Sequence, residues 1–217
     1  AYPFETIAVA GSFSPRLLLV LAQAKYLSDV LNASLLLIHI GEKSSEKEQK
    51  LDELMGKLGM DDSHYRVIWM EGDPVETILK LSKLNMVDLL VLGALEKENV
   101  LKFYLGSIAR NISRKAKCSV LLLTNPTEQP IKYRKIVVNG VENPKTVHTI
   151  NTAFYFAKHV KAKDVTIVNE VNVPGLAMAM ADDSTAPEAK EIKKHLNEEG
   201  EENIQSIVEK CDTKDIN

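Results

Sequence analysis

Cysteine is nearly missing from this sequence: Cys118 and Cys211 are the two in a chain of 217 residues. That excludes the stapled frameworks of small secreted domains and makes a reducing cytosol the expected setting. No apolar run approaches the ~20 residues that a membrane-crossing helix needs. The first residues, AYPFETIAVAG, lack the basic start and long apolar stretch of a secretory leader. Nor is there an excess of base. The formal net charge is -3, without a cluster of Lys and Arg, so the electrostatic footprint of a nucleic-acid binder is missing. What is present suits soluble domains: 45% of residues are hydrophobic and 26% charged, enough for a sizeable core in one or two domains.

Short apolar runs alternate with helical patterns along the chain. TIAVAG (6–11), ending in a Gly-Ser turn, predicts a buried strand, and residues 15–33 a helix with Pro15 in its first turn. ASLLLIHI (33–40) predicts a second strand. Ser45 with Glu48 makes a capping box for a polar helix to about Leu58. YRVIWMEG (65–72) predicts a third strand. Asp73, Pro74 and Glu76 then open a helix through Leu84. VDLLVLG (87–93) is a fourth strand, 107–117 a helix and SVLLL (119–123) a fifth strand. Strands this apolar are expected to be buried on both faces, in a parallel sheet covered by helices. NPTEQP (125–130), with two prolines, is the expected linker between domains at 1–124 and 131–217.

After the linker the pattern restarts. Residues 7–38 lie over 136–167 without a gap: Ile7 on Ile136, Gly11 on Gly140, Pro15 on Pro144, Ala24 on Ala153, Tyr26 on Tyr155, Ala33 on Ala162, Ile38 on Ile167. Identities at turn and core positions imply an internal duplication. A further helix is expected from about Thr185, where Thr185 and Glu188 form a capping box. The third strand, the glycine loop and the fifth strand have no counterpart before Asn217. A piece of a longer chain is therefore expected.

Between the fourth strand and the next helix stands GALEKENVLKFYLGS (93–107). Its spacing is Gly93, two residues, Glu96, nine residues, then Gly106-Ser107. GSIARNISRKAKCSVLLL (106–123) and EGDPVETILKLSKLNMVDLLVLG (71–93) flank and complete it. In spacing, order and flanking elements, residues 5–123 resemble a universal stress protein domain. The whole chain resembles a tandem form with an incomplete second domain, the likeness resuming at 133–168. The resemblance implies an α/β fold: an open parallel five-stranded sheet with helices on both faces, like the adenine-nucleotide alpha hydrolases, followed by a partial second copy. It also implies where ATP or AMP, with magnesium, would lie. An aspartate after the first strand would contact the nucleoside, backbone at the end of the second strand the adenine, and the glycine loop with its hydroxyl the phosphates. Carried to this chain, those positions are Ser12, Ile40, Gly93, Glu96, Gly106 and Ser107. Two depart from the pattern: Ser12 replaces the aspartate and Glu96 the second glycine.

Each position also has a plainer role. Gly93 and Gly106 can simply end a strand and start a helix, Ser107 can be an N-cap, Ser12 suits a turn, and Glu96 suits a solvated loop. A carboxylate about 5 Å from a phosphate charge costs roughly 1 kcal/mol in water-like surroundings and roughly 3 at an effective dielectric of about 20. A divalent cation bridging the two would reverse that sign.

Other chemistry finds no support. His39, in IHIG, has neither the order nor the placement of an adenylyl-transfer signature, and His64, His148, His159 and His195 show no paired metal spacing. No Ser–His–Asp or Cys–His arrangement falls on neighbouring strand ends. A response-regulator site would need acids after the first strand, where AGS stands, and Asp73 serves better as a helix cap. Cys118 suits a core thiol rather than a redox sensor, and HLNEEGEEN (195–203) a solvated helix face interrupted at Gly200. The expectation is a non-enzymatic regulatory or stress-response module with weak or absent nucleotide binding. An ATP- or AMP-binding sensor is the alternative, and a slow ATPase a third. A homodimer through 119–123 is expected, with no nucleic acid and no membrane as partner.

Overall fold

The computed structural model describes residues 4–94, 106–141, 143–169, 186–214 and 216. The chain divides into two compact units, Pro3–Ile131 and a second that takes in Lys132–Asn217. In the first, strands and helices alternate as β1 (Thr6–Ala10), α1 (Leu17–Leu31), β2 (Ser34–Ile40), α2 (Ser45–Lys57), β3 (Tyr65–Met70), α3 (Pro74–Leu84), β4 (Leu89–Gly93), α4 (Ser107–Lys115) and β5 (Ser119–Leu123). All pairings are parallel, in the order β3-β2-β1-β4-β5.

The central strands are apolar throughout because both faces are covered. Ala8, Leu36, Ile38, Leu90 and Leu92 pack with Ile78 and Leu81 of α3 and with Ala109 and Ile112 of α4. On the other face α1 comes so close that a Cβ at Gly11 would meet Leu17 Cδ1 at 2.8 Å, and one at Gly93 would meet Val20 Cγ2 at 3.2 Å. The outer strand β5 differs from the expectation of burial on both faces. Of its residues Leu123 alone is fully buried and the other four are half-buried, because a neighbouring strand lies on one side only.

Local chemistry sets the element ends. Asp73 caps α3 as its spacing predicts, its Oδ1 accepting from the Glu76 N–H at 2.9 Å with Pro74 in the first turn. The expected capping box of α2 is not formed. Ser44, with extended backbone, is the cap, its Oγ accepting from Lys47 N–H at 3.3 Å, and Glu48 pairs with Lys43 at 2.7 Å. Helix α1 begins at Leu17, after Pro15 rather than on it. The Asp88 carboxylate ties the start of β1 to the start of β4, accepting the Glu5 and Thr6 N–H groups at 3.0 and 2.9 Å. Buried Gln23 of α1 holds the end of the linker: its amide accepts from Ile131 N–H at 2.8 Å and donates to Ile131 carbonyl at 3.1 Å.

The second unit contains β6 (Lys135–Asn139), α5 (Thr146–Val160), β7 (Asp164–Val168) and α6 (Ala186–Val208), with β6 and β7 paired in parallel. Its core joins Val138, Ile150, Phe154 and Ile207 to Ile136, Val165 and Ile167. β6 and α5 repeat the bounds of β1 and α1 at the same offset, down to left-handed residues closing each helix, Asn32 (φ 52°) and Lys161 (φ 55°). The gapless likeness then breaks. Ile7 stands beside Leu35, whereas Ile136 stands beside Val165, one residue later than the offset requires. A one-residue slip exchanges the faces of a strand. Val165 and Ile167 thereby reach the core, where the gapless pairing would have turned Asp164 and Thr166 inward. Ile167 thus takes the place of Leu37, not that of Ile38.

Helix α6 runs through Gly200 without the expected interruption. The glycine serves close packing: a Cβ there would collide with the side-chain amide of Asn169, and one at Gly140 would meet Ile167 Cγ2 at 2.6 Å and Ile204 Cδ1 at 2.9 Å. Thr185, half of the expected capping box, lies outside the described residues.

Candidate functional site

In an open parallel sheet the winding direction reverses where neighbouring strands send their connections to opposite faces, and that point leaves a crevice at the strands' carboxyl ends. Here the reversal lies between β1 and β4. Ser12 is exposed just beyond β1, in a turn in which Ser14 N–H donates to Ser12 carbonyl at 2.7 Å. Gly93 ends β4, and Ala94 N–H donates to Leu123 carbonyl at 2.9 Å, holding the start of the following loop against β5. Ile40 closes β2 half-buried, with Gly41 beyond it in a left-handed conformation (φ +143°).

Gly106 is the N-cap of α4, with extended backbone and no side-chain capping bond. That corrects the plainer role for Ser107, which is exposed and already the first helical residue, so its hydroxyl is not the cap. Among the described residues no side chain caps the first N–H groups of α4. Ser12, Ile40, Gly93, Gly106 and Ser107 all come to the carboxyl side of the sheet. Glu96 lies outside the described residues.

Two features of this edge are invisible in local sequence. Arg16, the N-cap of α1, reaches from the end of β1 across the crevice. Its Nη1 donates to Ala94 carbonyl at 2.9 Å and its Nη2 to Thr124 carbonyl at 2.8 Å. The second feature is an aromatic cluster. Phe13 stacks on Trp69 with ring centroids 5.7 Å apart, and His39 meets both edgewise, at 4.8 and 5.0 Å. His39 is buried, its Nδ1 3.1 Å from Gly11 carbonyl. A carbonyl only accepts, so Nδ1 carries the proton and the ring pins the β1–α1 turn to β2.

Cys118 is half-buried against the core of the first unit, and burial pushes its thiol pKa up, away from the reactive thiolate. Among the described residues no group of three or more His, Cys, Asp or Glu side chains is placed to hold a metal ion. Among them, too, no helix is long and apolar enough to cross a membrane.

The first unit is an α/β domain of the doubly wound kind, with a crevice where β1 and β4 send their connections to opposite faces. The model of the universal stress protein family matches residues 3–124, more than half of the chain, and the protein belongs to that family. Solved structures similar to it include a universal stress protein in complex with cAMP, 21% identical, covering 57% of this chain and 98% of that one with a TM-score of 0.48. A universal stress protein from Archaeoglobus fulgidus is 18% identical over 56% of this chain and 99% of its own, TM-score 0.47. Another from that organism, in complex with dAMP, is 20% identical over 57% and 100%, TM-score 0.43. No curated protein sequence matches the chain significantly.

Proposed function

We propose that this protein is a universal stress protein-type regulatory or stress-response module that acts by binding rather than catalysis, with an adenine nucleotide held weakly, if at all, at the β1–β4 crevice. The observation that carries this reading is the composition of that crevice. It keeps the uncapped N-terminus of α4 and the glycine ends at Gly93 and Gly106. It offers exposed Ser12 where a nucleoside-binding carboxylate would stand. Anion-binding backbone is retained, and one nucleoside contact is lost.

The second reading, an ATP or AMP sensor, is favoured by Arg16, which brings a positive charge to the same crevice. Denaturing the purified protein and analysing the released small molecules separates the two. Stoichiometric nucleotide carried through purification establishes the sensor, and its absence supports the weak binder. Phosphate release from ATP above a protein-free blank would overturn the binding-only reading.

A further inference from the structure

The winding reversal between β1 and β4 is bridged by one side chain. Arg16 donates to Ala94 carbonyl beyond β4 and to Thr124 carbonyl beyond β5, at 2.9 and 2.8 Å. Both acceptors are neutral. Arg16 takes part in none of the ion pairs among the described residues. A guanidinium has five N–H donors in a rigid fork, so three remain beyond these two bonds, and no carboxylate among the described residues pairs with its charge. The residue is also half-buried, where an unneutralised charge costs more than in water. A brace for two carbonyls needs donors but no charge. A charge kept at the ligand end of a parallel sheet calls for an anion.

From this we infer that Arg16 is the anion-recognising residue of the crevice, binding the phosphate of a small phosphate monoester without a divalent cation. The inference rests on reading the β1–β4 crevice as the ligand site. The fork suits phosphate oxygens, and the uncapped N–H groups of α4 on the same edge favour further negative charge. A carboxylate would be satisfied by the fork alone.

The test is a thermal-shift and calorimetric titration of the protein with inorganic phosphate, AMP and adenosine, all in EDTA, repeated over a range of sodium chloride concentrations. Arg16→Gln and Arg16→Lys are measured alongside. Expected are phosphate and AMP responses that fall with salt, weaken about tenfold or more in Arg16→Gln and are partly kept in Arg16→Lys. The ligand-free melting temperature of each variant reports the bracing role separately. Equal phosphate responses in wild type and Arg16→Gln, or no response of the wild type to phosphate, overturn the inference. Adenosine decides the underlying reading independently. If adenosine binds while phosphate has no effect, the crevice stands and the role of Arg16 falls. If phosphate binds through Arg16 while adenosine does not, the role stands and the nucleotide reading falls. Should Arg16→Gln not fold, the guanidinium ¹⁵N resonances of Arg16 in the wild type decide: they shift on phosphate addition, and unmoved signals overturn the inference.

Discussion

Ser12 is exposed at the end of β1, where the family resemblance implies an aspartate. Introducing Ser12→Asp together with Glu96→Gly restores a nucleoside contact and removes a like charge. ATP binding is expected to tighten, the charge change alone contributing several-fold to about a hundredfold. Calorimetry with and without magnesium checks this, and the gain should shrink when magnesium is present. A second residue-scale prediction concerns Met86, which follows α3 with φ 49° and is 81% exposed. A left-handed conformation is costly for a residue with a Cβ and free for glycine, and little packing is lost here. Met86→Gly should stabilise the protein by about 0.5–1 kcal/mol in urea denaturation. A third concerns the exposed turn in which the Asp61 carboxylate accepts from Ser63 Oγ and N–H and from His64. The Ser63 hydroxyl, then its backbone, then His64 favour the ionised form and pull the Asp61 pKa down from 3.8 to about 2. A depressed carboxylate pKa means that the turn's contribution is present above about pH 4 and lost as pH falls through about 2. Carboxyl-carbon NMR should show a midpoint near 2, and Ser63→Ala should raise it towards the ordinary value.

For elements, helix α6 sets local propensity against packing. In an isolated helix, Gly200→Ala would stabilise by about 1 kcal/mol. Against Asn169 the added methyl has no room, so a net loss of about 1–3 kcal/mol in thermal or urea unfolding is expected. A smaller side chain at Asn169 should recover part of it. The same conflict shows what sequence could reveal. The central strands of the first sheet were legible because burial on both faces writes them as unbroken apolar runs. The cap of α3 was legible because Asp73, Pro74 and Glu76 agree. The spacing of Ser45 and Glu48 pointed to Ser45 as the cap of α2, but the extended backbone lies at Ser44, which caps the helix one residue earlier. In DVTIV (164–168) only Val165 and Ile167 form a wholly apolar face, so the alternation favoured the slipped register, and the run of gapless identities up to Ala162 hid it. Arg16 was beyond sequence reasoning altogether, since its partners are carbonyls 78 and 108 residues away. Ser12, Ile40, Gly93, Gly106 and Ser107 came from the family resemblance, and they share one edge because in a parallel sheet every strand end and every following helix start falls on the same side.

For the whole molecule, the outer strand β5 presents half-buried Val120, Leu121 and Leu122 beside an edge that no other strand in the sheet covers. Such an edge invites pairing. A two-fold homodimer through 119–123 is the proposed assembly, and a monomer at tens of micromolar in sedimentation would count against it. The grip of Gln23 on Ile131 bears on how much chain the first unit needs. By offering a donor and an acceptor to the backbone of one residue, the side chain acts as a substitute strand for the segment beyond β5. A chain ending at Thr124 strips these two bonds from an amide that is 1% exposed, whereas one ending just after Ile131 keeps them. The longer piece should unfold at higher urea, by a difference of about 1–3 kcal/mol. Gln23→Leu in the longer piece should erase most of that advantage. The limit of independent folding is then marked by a glutamine deep in the first helix, more than a hundred residues upstream of the peptide it secures.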